Sequence, residues 1–182
     1  MKKPQADFEY MQILLEDFFK IPSIRSALRV IAEVDITGWE IWFQVEFARF
    51  LAEHISEPEW GRECAIEFDY RREKNRYFFK ADFIIRKKHW TKGRWIALEV
   101  KQHVNPGNCI TNMIADLAKV GRMRKSALDM RSIWALGIFL TDDEKDVHEM
   151  IRSKLTSARQ PHHEERVVVK TISRTSFSYA LF

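Results

Sequence analysis

Hydrophobic residues in the N-terminal part of the chain recur at helical spacing. Between residues 5 and 34 they stand three and four positions apart, so they share one side of a helix and face a core. Pro22 interrupts the pattern, and Ser23 is placed to cap a second helix that runs to about Val34. The pattern therefore predicts two consecutive helices.

A third helix is predicted from Thr37 to about His54. Thr37 and Glu40 have the spacing of a capping box, in which a hydroxyl and a carboxylate bind unpaired N–H groups of the first turn. The helix is rich in aromatic side chains, namely Trp39, Trp42, Phe43, Phe47 and Phe50. Large apolar side chains in this number indicate a helix that packs into the core.

The pattern then changes to short apolar and aromatic runs separated by charged turns. These runs cover residues 64–70, 77–86 and 94–102, and their length and spacing predict a meander of antiparallel strands. Residues 105–108, Asn-Pro-Gly-Asn, form a strong turn signal. Helical spacing returns after this turn and continues to about Asp129.

The rest of the chain predicts a strand, a helix and two closing strands. Residues 132–140 have the composition of a buried strand, and the acidic residues that follow open a helix to about Leu155. Residues 167–172 and 177–182 are predicted as the final strands. This order of elements indicates an α/β fold with a mixed central β-sheet flanked by helices.

The length of 182 residues suits a single domain with a real core. We expect one domain over residues 1–182. Within it, residues 1–36 form an N-terminal helical extension, residues 37–141 form the core that carries the chemistry, and residues 142–182 add a helix and strands.

Charge and composition restrict the partners only mildly. The net charge is +4, a small excess that is compatible with a polyanionic partner. The two cysteines, Cys64 and Cys109, are too few for a disulfide framework. The longest apolar run, residues 133–140, is much shorter than the roughly 20 residues of a membrane-spanning helix. Together with the lack of an apolar signal core, this predicts a cytoplasmic protein without a membrane partner.

Two acidic residues interrupt runs that otherwise look like core strands. They are Asp82 and Glu99. A carboxylate in such a setting is costly to desolvate unless a cation or hydrogen bonds compensate it. Glu99 and Lys101 stand two apart, so they point to the same face of a strand, and a hairpin lays the Asp82 strand beside theirs. The two carboxylates then form an oxygen site suited to Mg²⁺ or Mn²⁺.

The acid-x-Lys triplet alone has a simpler interpretation. Glu99 and Lys101 also fit an exposed cross-strand charge pair, and residues 143–145 repeat the same spacing where helix-capping acids belong. Asp82 in a second apolar strand, at hairpin distance, favours the metal site. An ammonium group beside such a site orients or deprotonates a water, or stabilises charge that develops on phosphorus.

These two segments resemble a known family. Residues 80–82, Lys-Ala-Asp, followed by a hairpin and residues 96–101, Ile-Ala-Leu-Glu-Val-Lys, are similar to the motif of the PD-(D/E)xK nuclease superfamily. The resemblance covers residues 37–140 and includes the αβββαβ order of a restriction endonuclease-like core. Ala81 stands where the family name has proline.

The resemblance implies a role for each motif residue. Asp82 and Glu99 bind the metal, the Val100 carbonyl contributes to it, and Lys101 serves the nucleophilic water. Many of these nucleases carry a further glutamate on the helix before the strands. Glu46, which lies among aromatic residues, is our choice for this metal-binding and catalytic role, and Glu40 is the rival whose capping-box position already accounts for it.

Six basic residues and one glutamine near the motif predict where nucleic acid binds. They lie on the hairpin between the motif strands, directly after the motif and on the following helix, where the family contacts phosphates. The candidates are Lys87, Lys88, Lys92, Gln102, Lys119, Arg122 and Arg124. A solvated helix face is the simpler explanation of the last three. Trp90 in the hairpin is the candidate for stacking on a base, with an exposed hairpin tip as the alternative.

The sequence thus leads to a Mg²⁺- or Mn²⁺-dependent nuclease that hydrolyses phosphodiester bonds, with DNA as the expected substrate. A non-catalytic nucleic-acid-binding or assembly module on the same fold is the alternative, because a fold does not fix a function. A third possibility is that the aromatic helix and residues 5–34 form the surface for a homodimer or a partner protein.

Overall fold

The computed structural model describes residues 3–67, 78–90, 95–120, 130–141 and 143–182. The helices are α1 (Lys3–Lys20), α2 (Pro22–Glu33), α3 (Glu40–Glu53), α4 (Pro106–Val120) and α5 (Glu144–Ser157), with a 3₁₀ turn at Glu164–Arg166. The strands are β1 (Glu59–Glu67), β2 (Phe78–Arg86), β3 (Trp95–Gln102), β4 (Met130–Leu140), β5 (Val168–Thr171) and β6 (Phe177–Leu181). In this part of the chain, no helix is long and apolar enough to cross a membrane.

The strands described form one six-stranded sheet in the order β1-β2-β3-β4-β6-β5. Strand β3 pairs with β4 in parallel through the crossover helix α4, and the other neighbouring strands are antiparallel. The predicted α/β class, the mixed sheet flanked by helices and the antiparallel meander β1-β2-β3 are therefore confirmed. The predicted continuation of α4 to residue 129 lies outside the described residues.

Two of the predicted helix caps are wrong. Helix α2 begins at Pro22 after Ile21, without a side-chain cap from Ser23, because proline already fixes the first helical φ angle. Helix α3 begins at Glu40, after Trp39, and receives no side-chain cap from Thr37. The Glu40 carboxylate is therefore available for another contact.

Strand β1 begins at Glu59, five positions before the predicted start at residue 64. The missed segment contains charged residues and Gly61, which have the composition of a turn. Strand β1 lies at the edge of the sheet, and an edge strand accepts polar side chains and glycine because one of its sides is not covered by another strand.

Helices cover both faces of the sheet. Helices α1, α2 and α3 pack on the face that carries Phe83, Leu98, Val100, Leu136 and Tyr179. Helices α4 and α5 pack on the other face, where β4 and β6 contribute short or apolar side chains that include Ala135, Phe139 and Ala180. The alternation of inward positions along each strand thus supplies two hydrophobic clusters, one on each side.

Helix α1 is fixed to the sheet by a buried ion pair. Asp7 is completely buried and accepts hydrogen bonds from both the Nε (2.7 Å) and the Nη2 of Arg131. The Ser132 hydroxyl donates to the same carboxylate at 2.8 Å and accepts the indole N–H of Trp134 at 3.1 Å. The polar groups of this network form hydrogen bonds with one another, and these bonds offset the cost of desolvating the charges.

Helix α4 approaches β4 closely at Gly137. A Cβ atom at this position meets the Sδ of Met113 and lies 2.9 Å from the Sγ of Cys109. Glycine therefore permits the short distance between helix and strand. Gly137 is also the neighbour of Lys101 in the β3–β4 pairing, so the close approach fixes α4 beside the candidate site.

We expect Asp7→Ala to lower the free energy of unfolding by about 2–4 kcal/mol, because the change leaves the partly buried Arg131 guanidinium without its counter-charge. Urea denaturation followed by circular dichroism measures this difference. The matched control is Glu9→Ala on the same helix, where we expect a change below about 1 kcal/mol. Equal effects of the two substitutions contradict the role given to the buried pair.

Candidate functional site

Strands β2 and β3 are joined by side chains at the point where Asp82 and Glu99 lie. The last backbone pair before this point, within the described parts of both strands, is Phe83 with Leu98. Beyond it, Glu99 Oε1 accepts the N–H of Asp82 at 3.2 Å, and Asp82 Oδ2 accepts the N–H of Val100 at 2.8 Å. The two carboxylates thus take the place of ladder carbonyls, and each is fixed by the backbone of the opposite strand.

The other side of β2 is also irregular at this position. Strand β1 pairs with β2 through Arg62 with Phe83 and through Cys64 with Ala81. Between them Glu63, which faces the Asp82 position, has a left-handed φ of 51°. This conformation costs a non-glycine residue roughly 1 kcal/mol, and such local strain is concentrated at functional sites.

A buried glutamine on α3 orients Asp82. The side chain of Gln44 donates from Nε2 to Asp82 Oδ1 at 2.9 Å, and its Oε1 accepts from the Nε of Arg62 at 3.1 Å. The arginine donor defines which end of the amide faces the carboxylate. Gln44 therefore connects the edge strand β1 to the centre of the site through α3.

Lys101 lies beside the carboxylate pair without being paired to it. Its Nζ forms an ion pair with Asp116 Oδ2 at 2.9 Å and donates to the carbonyl of Val100 at 3.0 Å. The Oε1 of Glu40 lies 4.0 Å away. Glu40 belongs to α3 on one face of the sheet, and Asp116 belongs to α4 on the other face. The Lys101 ammonium group therefore lies between one acidic residue from each helix layer.

Glu40 takes part in this cluster because it does not cap α3. Its carboxylate lies near the backbone N–H of Gln102 and near the charges of Lys101, Asp82 and Asp116. The carboxylate of Glu46 lies elsewhere on α3, where it pairs with Arg49 at 2.6 Å. The structure thus brings together Asp82, Glu99, Lys101 and Glu40, and it places Glu46 in a separate pair on the helix.

The site carries more negative than positive charge, and the pKa values follow from this. Burial, together with the charges of Asp82 and Asp116, raises the pKa of Glu99 to about 8. Burial also raises the pKa values of Asp82 and Glu40. Each of the three carboxyl groups therefore gains stability in its ionised form from an additional cation.

The surrounding acidic groups keep Lys101 in its charged form. Burial opposes the charge of Lys101, but the hydrogen bond to Asp116 and the charges of Asp116, Glu40 and Asp82 outweigh it and raise the pKa of this lysine. Burial also opposes the charge of Asp116, whose pKa is nevertheless lowered by hydrogen bonds from Lys119 and Lys101. Lys101 and Asp116 thus form a fully ionised pair.

The predicted nucleic-acid-binding residues fall in several places. Lys119 forms an ion pair with Asp116, and Gln102 lies next to Lys101 on β3. Lys88 forms an ion pair with Glu57, outside the group of Asp82 and Glu99. The Lys87 ammonium lies 5.6 Å from the centre of the Tyr10 ring. The remaining candidates, Lys92, Arg122 and Arg124, lie outside the described residues.

Trp90 is not an exposed hairpin tip. Its ring packs against Tyr10, with ring centres 5.6 Å apart, and the Arg131 guanidinium lies 4.2 Å from the ring centre. The side chain is partly buried against the α1–α3 side of the core. The prediction of an exposed tip is therefore wrong, because residues of α1 and β4 contact the ring, and stacking of Trp90 on a base stays a prediction.

Neither Gln44 nor Asp116 is predicted as a site residue from the sequence. Both side chains are buried, with exposures of 5% each. Each interrupts an apolar helix stripe, Gln44 one turn before Phe47 and two turns before Leu51, and Asp116 one turn after Met113. A polar residue in such a stripe needs a partner, and this is the signal that indicates a buried contact.

Within the part of the chain that the structure describes, no group of three histidine, cysteine, aspartate or glutamate side chains is arranged to hold a metal ion. No family model matches the chain, and neither a curated protein nor a solved structure shows significant similarity to it.

The raised pKa of Glu99 predicts how the stability of the metal-free protein depends on pH. Between the ordinary value of 4.5 and about 8, the folded chain keeps a proton that the unfolded chain releases. The free energy of unfolding therefore falls as the pH rises through this window. We expect Glu99→Gln to remove this loss and to stabilise the protein at pH 8 by on the order of 1–3 kcal/mol, with little effect near pH 4.5.

Thermal melting in EDTA at several pH values measures this effect. Glutamine retains the oxygen that accepts the Asp82 N–H, so the variant changes the charge and keeps the hydrogen bond. Glu46→Gln is the matched control for the chemical change itself. If the melting temperatures of wild type and Glu99→Gln differ by the same amount at pH 5 and at pH 8, the prediction is contradicted.

Proposed function

We propose that this protein is a metal-dependent nuclease that hydrolyses phosphodiester bonds of nucleic acid, with DNA as the expected substrate. The observation that carries the proposal is the arrangement of Asp82, Glu99 and Lys101. The buried Glu99 carboxylate and the partly buried Asp82 carboxylate, fixed at the point where two central strands exchange side-chain hydrogen bonds, lie beside a partly buried ammonium group. A purely structural charge pair does not need a further carboxylate in the same place that forms no ion pair with the lysine.

The order of elements supports the resemblance to PD-(D/E)xK nucleases. From α3 to β4 the chain forms a helix, three antiparallel strands, a helix and a strand that is parallel to the third. Asp82 lies on the second of these strands, and Glu99 and Lys101 lie on the third. The position of these residues on the second and third strands supports the proposed resemblance.

The donor set fits Mg²⁺ or Mn²⁺. Magnesium in phosphate-processing sites is held by one or two carboxylates, with waters and substrate phosphate as the remaining ligands, so a third acidic ligand is not required. Asp82 and Glu99 would hold the ion, with the Val100 carbonyl beside them. The bound ion supplies an acidified water and neutralises phosphate charge. Burial and the charges of Asp82 and Asp116 raise the pKa of Glu99, and a cation bound at this place would lower it.

Lys101 acts as a cation in this proposal. A lysine that is held protonated by Asp116 and Glu40 is a poor base for the attacking water. Its ammonium group instead orients the water and stabilises the negative charge that develops on the phosphoryl oxygens. In this step the water oxygen bonds to phosphorus and its proton passes to solvent, while the bond from phosphorus to the sugar oxygen breaks and the sugar oxygen takes up a proton from solvent. Gln44 keeps Asp82 in place for this step.

The alternative is a non-catalytic nucleic-acid-binding or assembly module. One observation favours it, since Asp82 Oδ1, Asp82 Oδ2 and Glu99 Oε1 already accept hydrogen bonds within the protein. In a purely structural role, the two carboxylates serve only to form these hydrogen bonds and so to connect β2, β3 and α3. The alternative then predicts nucleic-acid binding without cleavage.

We expect the purified protein to cleave DNA in Mg²⁺ or Mn²⁺ and not in EDTA. Asp82→Asn, Glu99→Gln and Lys101→Met should each reduce the cleavage rate by roughly 100-fold or more, because each removes charge from the reacting centre. Gel assays with supercoiled, linear and single-stranded DNA and with RNA measure the rates and identify the preferred substrate. Cleavage that survives all three substitutions assigns the activity to another site.

Glu40 and Glu46 allow a matched comparison on one helix. We expect Glu40→Gln to lower the cleavage rate by roughly 10-fold or more, because its carboxylate lies beside Lys101, and Glu46→Gln to have the smaller effect. The two variants carry the same chemical change on the same helix, so cleavage rates at saturating metal compare them directly. A larger loss in Glu46→Gln supports the assignment that the sequence favours and contradicts the one based on geometry.

A further inference from the structure

Asp116 is a buried acid on α4 that contacts two lysines. It is 5% exposed, and its two oxygens face different partners. Oδ2 lies 2.9 Å from the Nζ of Lys101, and Oδ1 pairs with the Nζ of Lys119. Burial of a carboxylate costs desolvation free energy, and the ammonium groups of Lys101 and Lys119 offset this cost.

The position of Asp116 is set by backbone packing. Helix α4 lies close to β4 at Gly137, which is the β4 neighbour of Lys101. Asp116 stands one turn after Met113, the residue that contacts this glycine. The packing of α4 on β4 therefore fixes the position of the Asp116 carboxylate near the end of β3.

The contact with Asp116 determines where the Lys101 ammonium lies. Within the described residues, the ion pairs of Lys101 are with Asp116 and, at 4.0 Å, with Glu40. The ammonium group lies near the Asp82–Glu99 pair but does not form an ion pair with it. A lysine without another partner neutralises the nearest carboxylates and so competes with a metal cation for them.

We propose that Asp116 is a positioning residue for the nuclease reaction, which holds the Lys101 ammonium at the Val100 carbonyl and away from the carboxylates of Asp82 and Glu99. The inference rests on the proposed function. In it, Asp116 touches neither the metal nor the scissile phosphate, and it acts through Lys101 alone.

This role predicts a specific kinetic result. We expect Asp116→Asn to lower kcat by roughly 10- to 100-fold, as is usual for a residue that orients a catalytic group, while KM for the nucleic acid changes little. Asp116→Glu should recover part of the loss because it restores the charge. Thermal melting of each variant shows that it is folded.

A double-substitution cycle tests whether Asp116 acts through Lys101. In single-turnover assays with excess protein, Asp116→Asn should cause no further loss in a Lys101→Met background. An equal further loss there overturns the proposal, because Asp116 then acts independently of the lysine. A rise in KM with unchanged kcat also overturns it, because Asp116 then serves substrate binding.

A second measurement does not depend on cleavage. Acetylation of lysines in the metal-free protein, quantified by peptide mass spectrometry, reports how strongly Lys101 is held, with the exposed Lys80 as the internal reference. We expect Asp116→Asn to increase the labelling of Lys101 several-fold relative to Lys80, and Lys119→Met to leave Lys101 protected. Unchanged labelling in Asp116→Asn overturns the proposal.

The two measurements separate failure of this inference from failure of the proposed function. If the wild type cleaves nucleic acid but the labelling of Lys101 does not respond to Asp116→Asn, the nuclease assignment stands and the positioning role is wrong. If labelling responds but the wild type cleaves no substrate in any metal, the proposed function is wrong. Asp116 then orders Lys101 for stability alone, which overturns its role in a reaction.

Discussion

The site depends on the exchange of hydrogen bonds between two strands through carboxylates. At the end of the β2–β3 ladder, the N–H groups of Asp82 and Val100 bind side-chain oxygens of the opposite strand. The exchange holds one oxygen of each carboxylate against the backbone of the opposite strand, and it brings two acidic groups together in a region that is largely shielded from water. Everything around them, from the amide of Gln44 to the ammonium of Lys101, is arranged to tolerate or use that charge.

The two helix layers have different tasks at this point. Helix α3 contributes Gln44, which binds Asp82 directly, and Glu40, which lies at the edge of the cluster. Helix α4 contributes Asp116, which binds the lysine. Neutral and acidic partners are thus divided so that the amide contacts a carboxylate and the acids contact the ammonium. This division avoids direct contact between like charges, which a low dielectric penalises most.

The sequence predicted the elements better than the contacts between them. Hydrophobic spacing identified the helices and the central strands, because burial of one face is a local pattern. It also paired Asp82 with Glu99, because a hairpin joins strands that are close in sequence. It did not assign Asp116 to Lys101 or Gln44 to Asp82, since those contacts depend on how α3 and α4 pack across the sheet. The capping-box spacing of Glu40 was a local pattern that a tertiary contact overrode.

The buried contact between Asp7 and Arg131 has a consequence for how the chain folds. The two residues are 124 positions apart, and Lys170 pairs with Glu16 across 154 positions. During synthesis, helix α1 leaves the ribosome long before β4 and β6 exist, so the side chains of α1 that pack on these strands, Phe8 and Phe19, lack those partners until then. Folding is therefore expected to finish only after the C-terminal strands are made, at the slow rate typical of distant contacts. The newly made N-terminal half is then a segment for chaperones to protect.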